Sequence, residues 1–287
     1  MGNGSFDAAA YVAYTKTTAG KRTEQVFSQR QLHKDLDPRG VIRESAASAD
    51  HPRPTPVIID LDVTGSMGMI ADHFAREGLG VLFNSIYNDK PIASPHICFT
   101  ANGDVMCDKV PFQCSQFEAD NRIVQQLTQI YLEGGGGGNA SESYNLAWYF
   151  AARRTKLISQ KQNRLGFLFT IGDECLPEDL TNEDVNNIFD GNDTEPVDNL
   201  TLLRQAQRKF HVFHIIIAQG NYASSNLHKV QASWRSLLGE NAITLDDYKK
   251  LPMLVCSIMA HIAGHSTTAS PFSRQLANIP RPRALLT

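Results

Sequence analysis

An apolar run, Val57-Ile58-Ile59, passes straight into Asp60-Leu61-Asp62-Val63-Thr64-Gly65-Ser66-Met67. A buried strand therefore ends in carboxylate and hydroxyl groups. Asp62, Thr64 and Ser66 stand at alternate positions around Gly65. Their oxygens are hard ligands, suited to Mg²⁺, Mn²⁺ or Ca²⁺ and unsuited to soft-metal chemistry. A second apolar run, Phe167-Leu168-Phe169-Thr170-Ile171, ends in Gly172-Asp173-Glu174, and Asp173 is expected to face the same point in space. Between the two lie Glu133, the run Gly134–Gly138, Asn139, Ala140, Ser141 and Glu142. Glycines there let the backbone approach a bound ion closely, and Ser141 or Glu142 offers a further ligand.

Each of these residues also has a plainer use. Asp62, Thr64 and Ser66 are all good helix N-caps, although a cap needs only one of them. Asn139-x-x-Glu142 has the spacing of a capping box, and Asp173 can hold a turn before Pro177. Asp60 alternates with Leu61 along the strand, so it faces the opposite side. It reads as a buried, hydrogen-bonded carboxylate that supports a metal without touching it.

Other chemistries fit less well. His96, Cys98, Cys107 and Cys114 lack the paired short spacings of a zinc site. The glycine run is not followed by the Gly-Lys-Ser/Thr of a nucleotide-binding loop. The five cysteines are odd in number and scattered, which fits reduced thiols and a cytoplasmic location. A net charge of −3 gives no general reason to expect nucleic acid. No apolar run approaches the ~20 residues that span a bilayer, so no membrane partner is expected either.

The elements that must position the site follow from alternation of strand and helix signals, the pattern of an α/β fold with a doubly wound, mostly parallel central sheet flanked by helices. Strands are expected at Val57–Leu61, His96–Thr100, Leu165–Ile171, Val212–Ala218 and Ala242–Leu245. Helices are expected at Met69–Asn88, Phe117–Leu132, Ser141–Ile158, Leu200–Lys209, Asn226–Leu238 and Asp246–Ala263, the last with Pro252 delaying its start or kinking it. Residues 1–55 read as an N-terminal extension with one strand-like stretch at Tyr11–Tyr14. Residues 56–264 are expected to form the main domain, and 265–287 a C-terminal tail that is extended or mobile. With 287 residues, 42% hydrophobic and 20% charged, one large domain with extensions is the natural division.

Asp62-x-Thr64-x-Ser66 resembles the first loop of the metal-ion-dependent adhesion site of von Willebrand factor A domains, and Asp173 matches that family's third-loop aspartate. Ser141 stands nearest to the family's second-loop threonine. The Gly-rich loop, Glu142-Ser143-Tyr144 and Phe169-Thr170-Ile171-Gly172-Asp173-Glu174 are similar to a bacterial and bacteriophage subgroup. The resemblance implies a von Willebrand factor A or Rossmann-like fold. It also implies Mg²⁺ (or Mn²⁺ or Ca²⁺) on Asp62, Thr64, Ser66, Asp173 and Ser141, and a protein partner whose acidic group completes the coordination. Family analogy suggests an AAA+ ATPase or a multiprotein assembly as that partner.

Two other classes stay open at this point. Asp60-Leu61-Asp62-Val63-Thr64 also resembles the signature of haloacid dehalogenase-like phosphatases, which implies Asp60 as nucleophile, Asp62 as acid/base and Gly172-Asp173 as part of a Mg²⁺ site. Gly65-Ser66-Met67 matches the adhesion-type loop better, and the glycine run has no task in a phosphatase. The third class is a scaffold protein in which the metal only stabilises the fold.

Overall fold

The computed structural model describes residues 4–133, 142–265 and 270–281, and of Ser66 and residues 87–89 the backbone alone. Eight strands occur among them: β1 (Arg43–Ser45), β2 (Thr55–Asp62), β3 (Pro95–Asn102), β4 (Phe112–Cys114), β5 (Thr155–Leu157), β6 (Gly166–Gly172), β7 (Phe210–Ile217) and β8 (Ala242–Leu245). Six form the central sheet in the order β4-β3-β2-β6-β7-β8, and β1 pairs with β5 apart from it. Neighbours in the central sheet run parallel, except for the short edge strand β4, which is antiparallel to β3.

Alternation along the strands splits the core between two faces. Ile59, Leu61, Phe99, Phe169, Ile171 and Ile215 pack on one side with Phe74, Phe83 and Leu254. Ile58, Cys98, Leu168, Val212 and Ile216 pack on the other with Trp148, Phe189, Leu202 and Trp234. A strand covered on both faces is apolar nearly throughout, which is why β2 and β6 read as continuous hydrophobic runs. The result is an α/β fold with a largely parallel sheet between helices.

Three of the five expected strands lie inside β2, β3 and β8, and the other two match β6 and β7 apart from Leu165 and Ala218, which fall just outside them. Several helices are shorter than their periodicity suggests. The expected helix Met69–Asn88 is a relay of Gly68–His73, a π-turn over Phe74–Gly78 and Leu79–Asp89. Phe117–Leu132 contracts to Arg122–Thr128, because Glu118 is held in a bridge to Ile97. Ser141–Ile158 contracts to Asn145–Arg153, and Thr155–Leu157 leaves to pair with β1. Asp246–Ala263 becomes Leu251–Ile262 with Pro252 in its first turn, where a missing N–H costs nothing. Leu200–Lys209 is Asn199–Gln207, and Asn226–Leu238 begins earlier, at Asn221, with a break at Asn226. The helix Asn182–Phe189 was not expected; Thr181 and Asp184 cap it reciprocally.

Two readings of the termini need correction. Tyr11–Tyr14 is not a strand but part of the helix Ala8–Thr18. Asp7 caps it by accepting from the Ala9 and Ala10 nitrogens at 2.8 and 3.0 Å, and three alanines favour helix over strand. Phe6 stacks on Phe83 at 4.1 Å between centroids, tying this segment to the sheet's covering helix. The tail is not simply extended: Ser273–Leu276 forms a helical turn, and Phe272, Leu276 and Ile279 are buried. Apolar residues spaced four and three apart supply that burial without a long periodic stretch to announce it. All five cysteines are free, and no described helix is long and apolar enough to cross a membrane.

Candidate metal centre

After β2 the chain turns one way to β3, then returns to the other side of β2 with β6, β7 and β8. The carboxyl ends of β2 and β6 therefore flank the point where the winding reverses, the place where open α/β sheets bind ligands. The parallel register sets Leu61 beside Ile171. Asp62 thus lies beside Gly172, with Asp173 one residue beyond, about one strand spacing away.

Asp62 is 1% exposed, and both of its oxygens are engaged. Oδ1 accepts from the Thr64 nitrogen at 3.0 Å and the Thr64 hydroxyl at 2.6 Å, while Oδ2 accepts from the Tyr144 hydroxyl at 2.8 Å. Thr64 makes no side-chain cap to the turn Gly65–Met67, so its hydroxyl serves Asp62 and not the following helix. Asp60 is fully buried one pleat back, accepting from the Thr100 hydroxyl at 2.6 Å and from the Asn102 amide.

Asp173 caps a helix. Its Oδ2 accepts from the Tyr222 nitrogen at 2.8 Å, at the start of the helix Asn221–Leu238. That contact needs Gly220, since a Cβ there would overlap the Asp173 carboxylate. The backbone of Ala223 also hydrogen-bonds the carboxylate. The plain use of Asp173 is hence a long-range cap and not a turn before Pro177.

Tyr144 is the residue that sequence reasoning missed. It is fully buried at the head of the helix Asn145–Arg153 and reaches under the site because Gly172 leaves room; a Cβ on Gly172 would overlap its hydroxyl. A glycine closing an otherwise bulky strand was the available signal. The capping-box reading of Glu142 is corrected. Asn139 lies outside the described residues, and Glu142 precedes the helix, whose N-cap is Tyr144. The chain is not helical there: Ser143 donates its N–H to the Gly103 carbonyl at 3.1 Å and accepts the Val105 N–H on its hydroxyl at 3.1 Å.

These contacts gather more carboxylates than the motif alone contains. Burial, opposed by the bonds from Thr64 and Tyr144 and helped by the charge of Asp173, raises the Asp62 carboxyl to about 7. Asp60 is likewise pushed up to about 7 by burial. Glu142 rises to about 9 and Glu174 to about 8, through burial first and then through Asp62 and neighbouring carboxylates. The groups acting most strongly on Asp62, Glu142 and Glu174 include no lysine or arginine. Glu142 is 2% exposed, and Oε2 of both Glu142 and Glu174 is buried without a hydrogen-bond partner.

An excess of buried negative charge with orphaned oxygens is costly unless protons or a cation neutralise it. Asp62, Thr64 and Asp173 offer hard oxygens for a divalent ion at this spot. Among the described residues no group of three or more His, Cys, Asp or Glu side chains is gathered to hold a metal. Asp62 and Asp173 are only two such groups, and a site built from them would take its remaining ligands from hydroxyls and water. Of the other expected ligands, Ser141 lies outside the described residues, as does the side chain of Ser66.

No family model matches the chain, and no curated protein does. Among solved structures, it aligns with the pilus adhesin SpaC of Lactobacillus rhamnosus GG in its open conformation, at 11% identity and a TM-score of 0.47 over 78% of this chain. Another form of that adhesin aligns at 12% identity and a TM-score of 0.48. The chain spans 31% and 32% of the length of those adhesin chains.

Proposed function

We propose that this chain is a von Willebrand factor A-like, Rossmann-like module that binds a partner protein through a divalent cation, Mg²⁺ foremost, held by Asp62, Thr64 and Asp173 with Ser66 and Ser141. The observation that carries this reading is the pair Asp62 and Asp173 at the winding reversal, among carboxylates whose strongest neighbours include no lysine or arginine. Bound there, the cation supplies positive charge and a coordination position for an acidic group of the partner. The chain's own residues do the positioning. Thr64 and Tyr144 orient Asp62, and the Tyr222 N–H orients Asp173. A partner drawn from an AAA+ ATPase or a multiprotein assembly fits this role, and the free thiols suit the reducing cytoplasm.

The burial of Asp60 favours this reading over the phosphatase. A nucleophilic carboxylate must reach phosphorus, whereas Asp60 is fully buried, with one oxygen held by Thr100 and the other by Asn102. The test is capture of partners from the native host with wild type and Asp62→Ala in parallel, with Mg²⁺ or with chelator. The reading expects a partner lost both from the mutant and on chelation. Mg²⁺-dependent turnover of an aryl phosphate that disappears in Asp60→Asn would overturn it.

A further inference from the structure

A groove of about 530 Å³ lies between the segment Arg30–Arg39, the loop Val105–Phe112, Tyr131 and the helix Asn182–Phe189. That volume falls within the ~300–1,000 Å³ of small-molecule sites. Leu32, Val105, Val110, Pro111, Phe112 and Ile188 give it an apolar lining. Charged residues also line it: Arg30, Arg39 and Lys109 against Asp37 and Asp184.

The two carboxylates are already engaged. Asp37 holds Arg39 through both oxygens, at 2.9 Å to Nε and 2.6 Å to the terminal nitrogen. Asp184 accepts from the Thr181 nitrogen at 2.8 Å and the Thr181 hydroxyl at 2.7 Å, capping its own helix. Arg30 and Lys109 are exposed. Neither side chain has an ion pair among the described residues; Glu133 accepts from the backbone nitrogen of Lys109 at 3.4 Å, and Glu133, Asp108 and Arg30 all act on the Tyr131 phenol in the groove wall. The groove thus presents an apolar lining beside two cations, Arg30 and Lys109, that form no direct ion pair among the described residues.

We propose that this groove binds a small amphipathic anion, an aromatic or branched apolar body bearing a carboxylate, sulfonate or phosphate, with the body on Val105, Pro111 and Ile188 and the anion on Arg30 and Lys109. Apolar contact supplies the bulk of such binding, and a few placed polar groups select the ligand. A neutral ligand would leave the two unpaired cations unused. The site is independent of the metal, although the Val105–Lys109 wall continues the loop that Ser143 anchors.

The probe is 8-anilinonaphthalene-1-sulfonate, titrated into the full chain by fluorescence and calorimetry with chelator present. Saturable one-to-one binding is expected, weakened about tenfold in Arg30→Gln and in Lys109→Gln, the scale of one charge-assisted hydrogen bond. Ile188→Trp, which fills the groove, should abolish it, with Val105→Trp as a second filling variant and thermal melts to verify the fold of each. Binding without saturation, equal affinity in both charge variants, or equal affinity for neutral N-phenyl-1-naphthylamine would overturn the proposal. So would capture of an acidic peptide at this groove with no binding of the probe.

Discussion

Replacing Asp62 by asparagine should stabilise the metal-free protein while removing its response to Mg²⁺. The asparagine keeps the shape, its oxygen can accept from Thr64, and its amide can donate to the Tyr144 hydroxyl, so the contacts of Asp62 survive. What disappears is a buried charge. The Asp62 carboxyl is raised from 3.8 to about 7, and each unit corresponds to about 1.4 kcal/mol. The sign follows from linkage: a raised native value means stability that is complete below 3.8 and lost as pH rises through about 7. Near pH 8 the ceiling of the penalty is roughly 4 kcal/mol, and relaxation around a coupled cluster reduces the expected gain to about 2 kcal/mol. Mg²⁺ at a hundredfold excess over Kd should stabilise wild type by about 2.7 kcal/mol and the variant not at all. Urea denaturation from pH 5 to pH 8, with chelator or with Mg²⁺, measures both effects. A variant less stable than wild type in chelator, or one that gains as much from Mg²⁺, refutes the reasoning.

Gly172→Ala should destabilise by about 1–3 kcal/mol through overlap with the Tyr144 hydroxyl, and Tyr144→Phe in the same chain should recover part of that loss in a double-mutant cycle. Burial lowers His96 and His211 from 6.5 to about 4. Each must stay neutral in the fold, so stability falls as pH drops from 6.5 toward 4, by on the order of 3 kcal/mol per histidine. His96→Gln should flatten that acid limb in denaturant titrations. Phe169→Ala, in the middle of β6 with its ring fully buried, should cost about 3–5 kcal/mol in urea denaturation.

The central strands were legible because burial on both faces leaves little room for anything but apolar residues, as in Val57–Ile59 and Phe167–Phe169. Asp62 and Asp173 stood out because each interrupts such a run at its end. Tyr144 and Gly220 were illegible as site components. Their placement depends on long-range contacts, with Asp62 for Tyr144 and with Asp173 for Gly220, and no local spacing encodes a partner that far along the chain. The N-terminal helix shows the opposite failure. Tyr11 and Ala13 mimic strand alternation over four residues, and the decisive signal, Asp7 ahead of three alanines, lies just outside that window.

Calorimetric titration of Mg²⁺ into chelator-stripped protein, run in parallel on wild type, Asp62→Ala and Asp173→Ala with circular dichroism to verify each fold, tests the central claim most directly. The account predicts one site in wild type and none in either folded variant. Unchanged Mg²⁺ binding in both variants would contradict it.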